Sequence, residues 1–408
     1  MSSKTDKKKA MVPKLRFPEF RDAGPWEVKR LGEISDRIIE KVGDRELVPV
    51  SITAGTGFVS QIEKFGRNIS GKQYKNYILL RKGQFSYNKG NSKTFPQGCI
   101  YQLREFEEAA VPNAFYSFAF RRDYVPEFYK GYFETNFHGK QLIKYITSSA
   151  RSDGLLNISP NDFFSIILPT PIDKDEQQKI ADCLSSLDEL IELQTQKLEA
   201  LKAHKKGLMQ QLFPQEGETT PRLRFPEFRD AGPWEVKRLG EVCDVLDNLR
   251  KPITSTKRRP GPYPYYGASG VIDYIDDYIF DERLLLIGED GAKWGPYEKT
   301  AFIVEGKYWV NNHAHVLRPT LVIDTLLENW LTVSDISIYV TGAAPPKLTL
   351  DNLKSIRVPI PPNRDEQQKI ADCLSSIDEV IELEAKKLDA LKAHKKGLMQ
   401  QLFPQEVG

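Results

Sequence analysis

The chain has 408 residues, of which 40% are hydrophobic and 28% charged, and its formal net charge is +2. This length suffices for two or three domains, and the composition argues against a disordered or collagen-like chain. The net charge is close to neutral and therefore favours no particular class of partner. The sequence lacks the run of about 18 apolar residues that would predict a membrane span. Four cysteines are too few for a disulfide scaffold. No apolar segment follows the basic start, so we expect no secretory signal and a reduced, cytoplasmic protein.

The sequence repeats itself. Leu15–Glu33 recurs letter for letter as Leu223–Glu241, and Asp175–Glu216 recurs as Asp365–Glu406 with six differences. Internal repetition of this kind indicates a duplicated structural unit. The stretches between the copies show no obvious identity, so we predict a constant frame that carries two different inserts of similar fold. A fixed frame with varied inserts favours a recognition role for the inserts.

The first insert contains a basic stretch interleaved with aromatic residues. Between Lys64 and Arg104 there are nine lysines and arginines and no acidic residue. Amide, hydroxyl and ammonium groups in such loops contact phosphates and base edges of DNA. A solvated loop is the simpler interpretation for any single side chain, but the whole stretch favours nucleic-acid contact. The candidates are Lys72, Lys75, Asn88, Lys89, Asn91, Ser92 and Lys93, and in a later loop Ser149, Arg151 and Ser152.

Each copy of the long repeat has a heptad pattern. Apolar residues at alternating spacings of three and four predict a long helix and coiled-coil pairing. Proline ends each helix, at Pro214 and Pro404, because it cannot continue the hydrogen-bond ladder. The expected helix-pairing positions are Leu187, Ile191, Leu198, Leu201, Lys205 and Leu208 in the first copy and Ile381, Glu384, Leu388, Leu391, Lys395 and Leu398 in the second.

Polar residues within the seam predict the direction of pairing. In one antiparallel register Lys205 faces Glu384 and Gln194 faces Lys395, whereas parallel pairing places Lys205 against Lys395. Because a buried like-charge pair is costly, we predict an antiparallel coiled coil with a pseudo-twofold axis. The rod would be roughly 43 Å long at 1.5 Å per residue, a little over one DNA turn of about 34–36 Å. Packing of each helix on its own insert remains the alternative.

The second insert is less basic overall, and its positive charge is concentrated between Arg250 and Arg259. A tyrosine- and glycine-rich turn follows. His313 and His315 alternate along a probable strand; a structural pair is the simpler interpretation, and we predict no metal site. The candidate DNA contacts are Lys257, Arg258, Tyr266, Ser269, Lys293, Trp294, Asn312, His313 and Lys347.

Enzyme signatures are weak. Gly66–Lys72 fits the first seven positions of a phosphate-binding loop, but Gln73 stands where a magnesium-binding Ser or Thr is needed. We find no dinucleotide or S-adenosylmethionine fingerprint and no signature of amino-methylating enzymes. No catalytic residue is predicted.

The tandem layout and several strings carry a family resemblance. The helix DEQQKIADCLSSLDELIEL with its second copy, and the insert strings YYGASGVIDYIDDYIFDERLLLIGEDG and YNKGNSKTFPQGCIYQL, resemble specificity subunits of type I restriction–modification enzymes. The resemblance covers nearly the whole chain. It implies two target-recognition domains that each read one half of a bipartite sequence in double-stranded DNA, and helices that fix the gap between the halves.

The resemblance also implies the partners. It implies no catalysis by this chain and no cofactor bound to it. Two methyltransferase subunits would bring S-adenosylmethionine, and endonuclease subunits that translocate DNA would use ATP and magnesium. Exposed helix flanks, such as Glu192, Lys197, Lys386 and Lys387, are candidates for methyltransferase docking, although a solvated face explains them equally well.

The expected fold class is α+β, with two globular target-recognition domains connected by the two long helices. The expected ranges are 1–174 for the first domain with its segment 15–33, 175–214 for the first helix, 215–364 for the second domain with its segment 223–241, and 365–408 for the second helix. Two other functions stay open: a coiled-coil scaffold whose inserts bind proteins, and a self-sufficient methyltransferase or nuclease.

Overall fold

The computed structural model describes residues 11–90, 95–146, 156–342 and 344–404. It divides into two compact units, the first made of Met1–Gln194 and Lys387–Gly408 and the second of Thr195–Lys386. Within the described residues, no helix combines the length and the apolar character that a membrane crossing requires.

The first unit mixes short strands and short helices. Its strands are β1 Glu27–Arg30, β2 Ser35–Arg37, β3 Val50–Thr53, β4 Gly57–Ser60, β5 Ile78–Arg81, β6 Phe85–Asn88, β7 Cys99–Gln102, β8 Glu108–Val111, β9 Tyr116–Phe120 and β10 Ile167–Thr170. Its helices are α1 Leu31–Ile34, α2 Gln61–Phe65, α3 Pro126–Glu134, α4 Phe137–Leu142 and α5 Pro160–Phe164. The long helix α6, Lys174–Leu212, begins in this unit and ends in the second.

An antiparallel sheet of order β2-β9-β6-β7 forms the centre of the first unit. Aromatic side chains fill the core beside it: the rings of Phe85 and Phe118 stack with centroids 5.4 Å apart, and those of Phe120 and Tyr129 with centroids 4.1 Å apart. Stacked aromatic pairs of this kind add to the stabilisation from burial. Strand β1 pairs with β10, which ties the start of the insert to its end.

The second unit has the same order of elements over much of its length. Its strands are β11 Glu235–Arg238, β12 Cys243–Val245, β13 Pro260–Gly267, β14 Gly270–Ile275, β15 Phe280–Asp281, β16 Leu284–Gly288, β17 Ala301–Val304, β18 Lys307–Val310, β19 Ala314–Pro319 and β20 Arg357–Ile360. Its helices are α7 Leu239–Val242, α8 Asp324–Val333 and α9 Leu350–Ser355, and the long helix α10, Arg364–Leu402, begins here and ends in the first unit.

The central sheets of the two units correspond. The order β12-β19-β16-β17 repeats β2-β9-β6-β7, and the pair β11-β20 repeats β1-β10. The second unit adds a sheet of order β14-β13-β18-β15, in which β13 and β18 run parallel. The prediction of two inserts with related folds is therefore confirmed, and their differences lie outside the common sheet.

Each of the two identical segments forms a buried ion pair with a long helix. Arg16 donates from Nε and Nη2 to the Glu176 carboxylate over 2.7 and 2.6 Å, and Trp26 Nε1 donates to the same carboxylate over 3.1 Å. Arg224, Glu366 and Trp234 form the same arrangement in the second unit. Each repeated segment is thus fastened to the beginning of a long helix.

The long helices pair antiparallel within each unit, as the sequence predicted. In the first unit, near the start of α6, Asp188 lies 2.6 Å from Lys130 of α3 and also accepts from Lys395, near the end of α10. In the second unit, Lys205 Nζ, near the end of α6, lies 2.7 Å from both carboxylate oxygens of Asp378, near the start of α10.

The register differs from the predicted one by about one heptad. Lys205 pairs with Asp378 and not with Glu384. Glu384 accepts a hydrogen bond from Lys197 instead. Lys395 pairs with Asp188 and Glu134. A shift of one heptad keeps apolar seam positions opposite one another. Carboxylates beside the seam therefore decide the register, and the prediction considered only positions within the seam.

Candidate DNA-recognition surface

The structure places several predicted contact residues at equivalent edges of the two central sheets. Strand β6 ends at Asn88, where β7 and β9 begin, and β16 ends at Gly288, where β17 and β19 begin. The loops that leave these edges contain Lys89 in the first unit, and Lys293, Asn312 and His313 in the second.

In the first unit, polar side chains at this edge contact neighbouring residues. Asn88 Nδ2 donates to the Ile52 carbonyl over 3.3 Å, and its Oδ1 accepts from Gly90 N over 2.8 Å. Lys89 Nζ lies 4.6 Å from the centroid of the Tyr116 ring, which orients the ammonium group by a cation–π interaction. Both residues are half-buried.

Lys64 belongs to the same edge, although sequence reasoning did not select it. Its Nζ donates to the Ile52 carbonyl over 2.8 Å, the oxygen that Asn88 also contacts. Partial burial lowers the pKa of Lys64 below its ordinary value. The acid-free basic stretch contained this signal, but nothing local distinguished Lys64 from its neighbours.

Other predicted residues of the first unit lie elsewhere or outside the described residues. Lys72 and Lys75 are exposed on the 3₁₀ segment Gly71–Asn76, and Lys75 is ion-paired with Asp44. This hydrogen bond raises the pKa of Lys75. The residues outside the described part of the chain are Asn91, Ser92, Lys93, Ser149, Arg151 and Ser152.

In the second unit, a buried network of charges joins the loops at the sheet edge. Glu289 follows β16 and lies 2.5 Å from Arg250 Nη1 and 2.6 Å from Lys347 Nζ. His315 on β19 places Nδ1 2.6 Å from Asp247 Oδ2 and Nε2 2.7 Å from the Leu348 carbonyl. Burial alone would raise the pKa of Glu289, but hydrogen bonds from Lys347 and Arg250 outweigh it and hold that pKa below its usual value.

This network gives Lys347 and His315 structural partners. Asp247, Glu289 and His315 are close enough together to ligate a metal ion. Arg250 and Lys347 already neutralise the two carboxylates, so the arrangement is that of an ion-pair cluster. Sequence reasoning missed Asp247, Arg250 and Glu289 as a group because Glu289 lies 39 residues after Arg250 and only the fold brings it to the other two.

Three predicted contacts of the second unit are buried or half-buried and pack against other residues of the unit. Trp294 is buried in the core, and its Nε1 donates to the Gly288 carbonyl over 2.9 Å. Arg258 stacks 4.4 Å from the centroid of Tyr265, and Tyr266 packs edge-on against Tyr308. These contacts give the three side chains partners within the fold, and whether they also contact DNA stays a prediction.

The remaining predicted residues of the second unit are exposed. Asn312 and His313 form the turn before β19, and His313 Nδ1 lies 2.5 Å from Asp290 Oδ1. Lys293 lies 3.6 Å from Glu298, while Lys257 and Ser269 extend from a 3₁₀ segment and from the β13–β14 turn. Polar groups of this kind at one edge can contact both phosphates and base edges.

The fold and this surface define a class of protein. One chain carries two domains that share a sheet and a helical anchor but present different loops at the same sheet edge. This layout is that of a protein with one duplicated frame and two different loop surfaces.

The chain belongs to the family described as the type I restriction modification DNA specificity domain, whose model matches residues 24–203 and again residues 232–393. The resemblance seen in the sequence is thereby confirmed. The family is defined by DNA specificity and not by a catalytic activity.

Similar proteins carry corresponding descriptions. A type I restriction enzyme specificity subunit of Haemophilus influenzae is 36% identical over 146 residues, which is 35% of this chain and 38% of that relative's length. The type I restriction enzyme MjaVIII specificity subunit of Methanocaldococcus jannaschii is 24% identical over 295 residues, covering 64% of this chain and 66% of the relative.

Solved structures share the fold. The crystal structure of a type I restriction-modification system S subunit from M. genitalium aligns with a TM-score of 0.62 and 16% identity, and the alignment covers 97% of this chain and 99% of that one. A structure described as showing complex assembly and conformational transition of the type I restriction-modification system aligns with a TM-score of 0.52.

Proposed function

We propose that this chain is the DNA-specificity subunit of a type I restriction–modification complex. In this proposal, residues 1–174 and 215–364 are target-recognition domains, and residues 175–214 and 365–408 are the helices that connect them. Each domain reads one part of a two-part sequence in double-stranded DNA. The observation that carries the proposal is the equivalent sheet edge in the two units, which has the same backbone support and different side chains.

The duplicated frame supports recruitment of two copies of one partner. Leu190 and Leu193 on α6 are 51% and 62% exposed, and their equivalents on α10, Val380 and Leu383, are 42% and 64% exposed. Exposed apolar residues that recur at equivalent positions are typical of a protein-binding surface. We propose that each pair contributes to the docking of one methyltransferase subunit, which brings S-adenosylmethionine. Endonuclease subunits, with ATP and magnesium, then join this assembly.

Charged residues beside these patches have partners within the chain. Lys197 is ion-paired with Glu384, and Lys386 lies 2.6 Å from Glu382. The apolar pairs are therefore better docking candidates than the charged flanks that the sequence suggested, because docking there does not require an ion pair to be broken.

The decisive experiment is a map of methylated adenines in cells that express this chain with its methyltransferase partner. We expect a two-part motif that disappears when the gene is deleted. A one-part motif, or methylation that persists after deletion, would contradict the proposal. Gel shifts of the assembled complex with target and scrambled duplexes separate DNA reading from a scaffold role, because a scaffold would not distinguish the duplexes.

A further inference from the structure

The exposed His313 and the half-buried Asp290 form a pair whose geometry fixes how the histidine forms hydrogen bonds. Its Nδ1 lies 2.5 Å from Asp290 Oδ1, and the side chain of His313 is 51% exposed. An ionised carboxylate only accepts hydrogen bonds, so Nδ1 must carry the proton. In the neutral ring, Nε2 is then left as an acceptor.

The backbone around His313 is held firmly. His313 N donates to Asn311 Oδ1 over 2.8 Å, and the His313 carbonyl accepts from Glu289 N over 2.8 Å. The Asn312 carbonyl accepts from Arg250 over 3.3 Å, which connects this turn to the buried charge network. A side chain on a rigid turn loses little conformational entropy on binding, so its hydrogen bond can discriminate between ligands.

With the ring neutral, this arrangement favours a base edge over the DNA backbone. Phosphate oxygens only accept hydrogen bonds, so an acceptor nitrogen next to a carboxylate has no favourable contact with them. In the major groove, the donors are the exocyclic amino groups, N6 of adenine and N4 of cytosine.

We infer that His313 reads the exocyclic amino group of one adenine or cytosine through Nε2, and that Asp290 is the positioning residue that sets its tautomer and orientation. This inference rests on the proposed function and assigns one base of the half-target that the second unit reads.

Methylation mapping of variants tests the inference within one molecule. His313→Ala and Asp290→Ala should each relax discrimination at one and the same base of one half-motif. The other half-motif is an internal control, and Asp244→Ala, at an exposed carboxylate on β12, is the matched control variant. His313→Gln keeps an acceptor oxygen and should retain more of the discrimination than His313→Ala.

Base analogues then identify the group that is read. At the base found by mapping, purine in place of adenine, or 2-pyrimidinone in place of cytosine, removes only the amino group. The wild-type complex should bind this duplex about three- to tenfold more weakly, the effect of one lost hydrogen bond. The His313→Ala complex should show no further loss, because the contact is already missing.

The outcomes separate the inference from the proposed function. A two-part motif that stays fully specific in both alanine variants overturns the inference and leaves the function standing. Relaxation at different bases, or at both half-motifs, also overturns it, because a positioning residue must act where the residue that it positions acts. Absence of any motif in the wild type contradicts the proposed function itself.

Discussion

The imidazole of His138 on α4 is buried in the first unit, with 1% of the residue exposed. Both of its nitrogens lack a hydrogen-bond partner within the described residues. The ring of Phe133 packs edge-on against it, with the two ring centroids 5.5 Å apart. Burial disfavours the charged ring and lowers the pKa of His138 to about 3.

This burial predicts a loss of stability in acid. The unfolded chain binds a proton at His138 as pH falls below about 6.5, whereas the folded chain does not until about pH 3. The free energy of unfolding therefore falls through this window, by at most about 1.4 kcal/mol per pH unit. His138→Leu should make this decline shallower in denaturant titrations between pH 7 and pH 4.

The control for this measurement is His204→Leu, because the ring of His204 is exposed on α6. It should leave the pH dependence as it is in the wild type. An unchanged slope in His138→Leu would contradict the assignment of acid sensitivity to the buried ring.

A buried ion pair anchors each repeated segment to its long helix, Arg16–Glu176 in the first unit and Arg224–Glu366 in the second. Removing one partner from a buried ion pair leaves an uncompensated charge and typically costs about 3–5 kcal/mol. Glu176→Gln should therefore destabilise the first unit by about 3 kcal/mol, and Glu366→Gln should do the same to the second. Hydrogen exchange of the segments around Trp26 and Trp234 should increase only in the unit that carries the change.

The exposed Glu189 on α6 provides the comparison for these two variants, since Glu189→Gln alters charge on the same helix without touching an anchor. Equal effects of Glu189→Gln and Glu176→Gln would show that helix charge, and not the anchor, determines the stability.

The paired helices contain one equivalent ion pair in each unit, but with different burial. Lys395 and Asp188 have side chains 12% and 21% exposed, against 19% and 50% for Lys205 and Asp378. Solvent weakens the exposed pair, which is worth at most about 1 kcal/mol. Asp188→Ala should therefore lower the melting temperature more than Asp378→Ala. Equal shifts would contradict this ranking of the two pairs.

These elements show what the sequence could predict. Heptad spacing and seam charges were sufficient for the length of the helices and for their antiparallel direction, because both depend on local periodicity. The register could not be predicted from the seam, because a shift of one heptad keeps the apolar residues of the seam opposite one another. Asp188 and Asp378, whose ion pairs accompany the observed register, lie outside the seam.

The residues of the proposed recognition surface were predicted less completely, for a similar reason. Composition identified the loops that contain Lys89 and His313, which are exposed or half-exposed. Trp294 was selected with them, but packing against residues distant in the chain buries it. Asp290 was missed because its proposed role depends on a contact with His313, which lies 23 positions further along the sequence.

For the whole molecule, the duplication of the frame predicts how many copies of a partner bind to it. The frame presents the same exposed apolar positions twice, Leu190 with Leu193 and Val380 with Leu383, while the inserts differ. A partner that binds the frame should therefore bind in two copies, whatever the inserts recognise. Mutations in the frame should therefore change the number of bound methyltransferases, and mutations in the inserts should change the DNA sequence that is recognised.

The test is a set of charged replacements on the frame. Leu190→Glu with Leu193→Glu should remove one methyltransferase from the purified complex, because two buried carboxylates would be left without partners at the interface. Val380→Glu with Leu383→Glu should also remove one, and all four changes should remove both, as measured by native mass spectrometry. Ile338→Glu, at an apolar residue of the second insert that is 69% exposed, should keep two. Retention of both methyltransferases by the fourfold variant would exclude this surface, because docking through these side chains cannot tolerate four added charges.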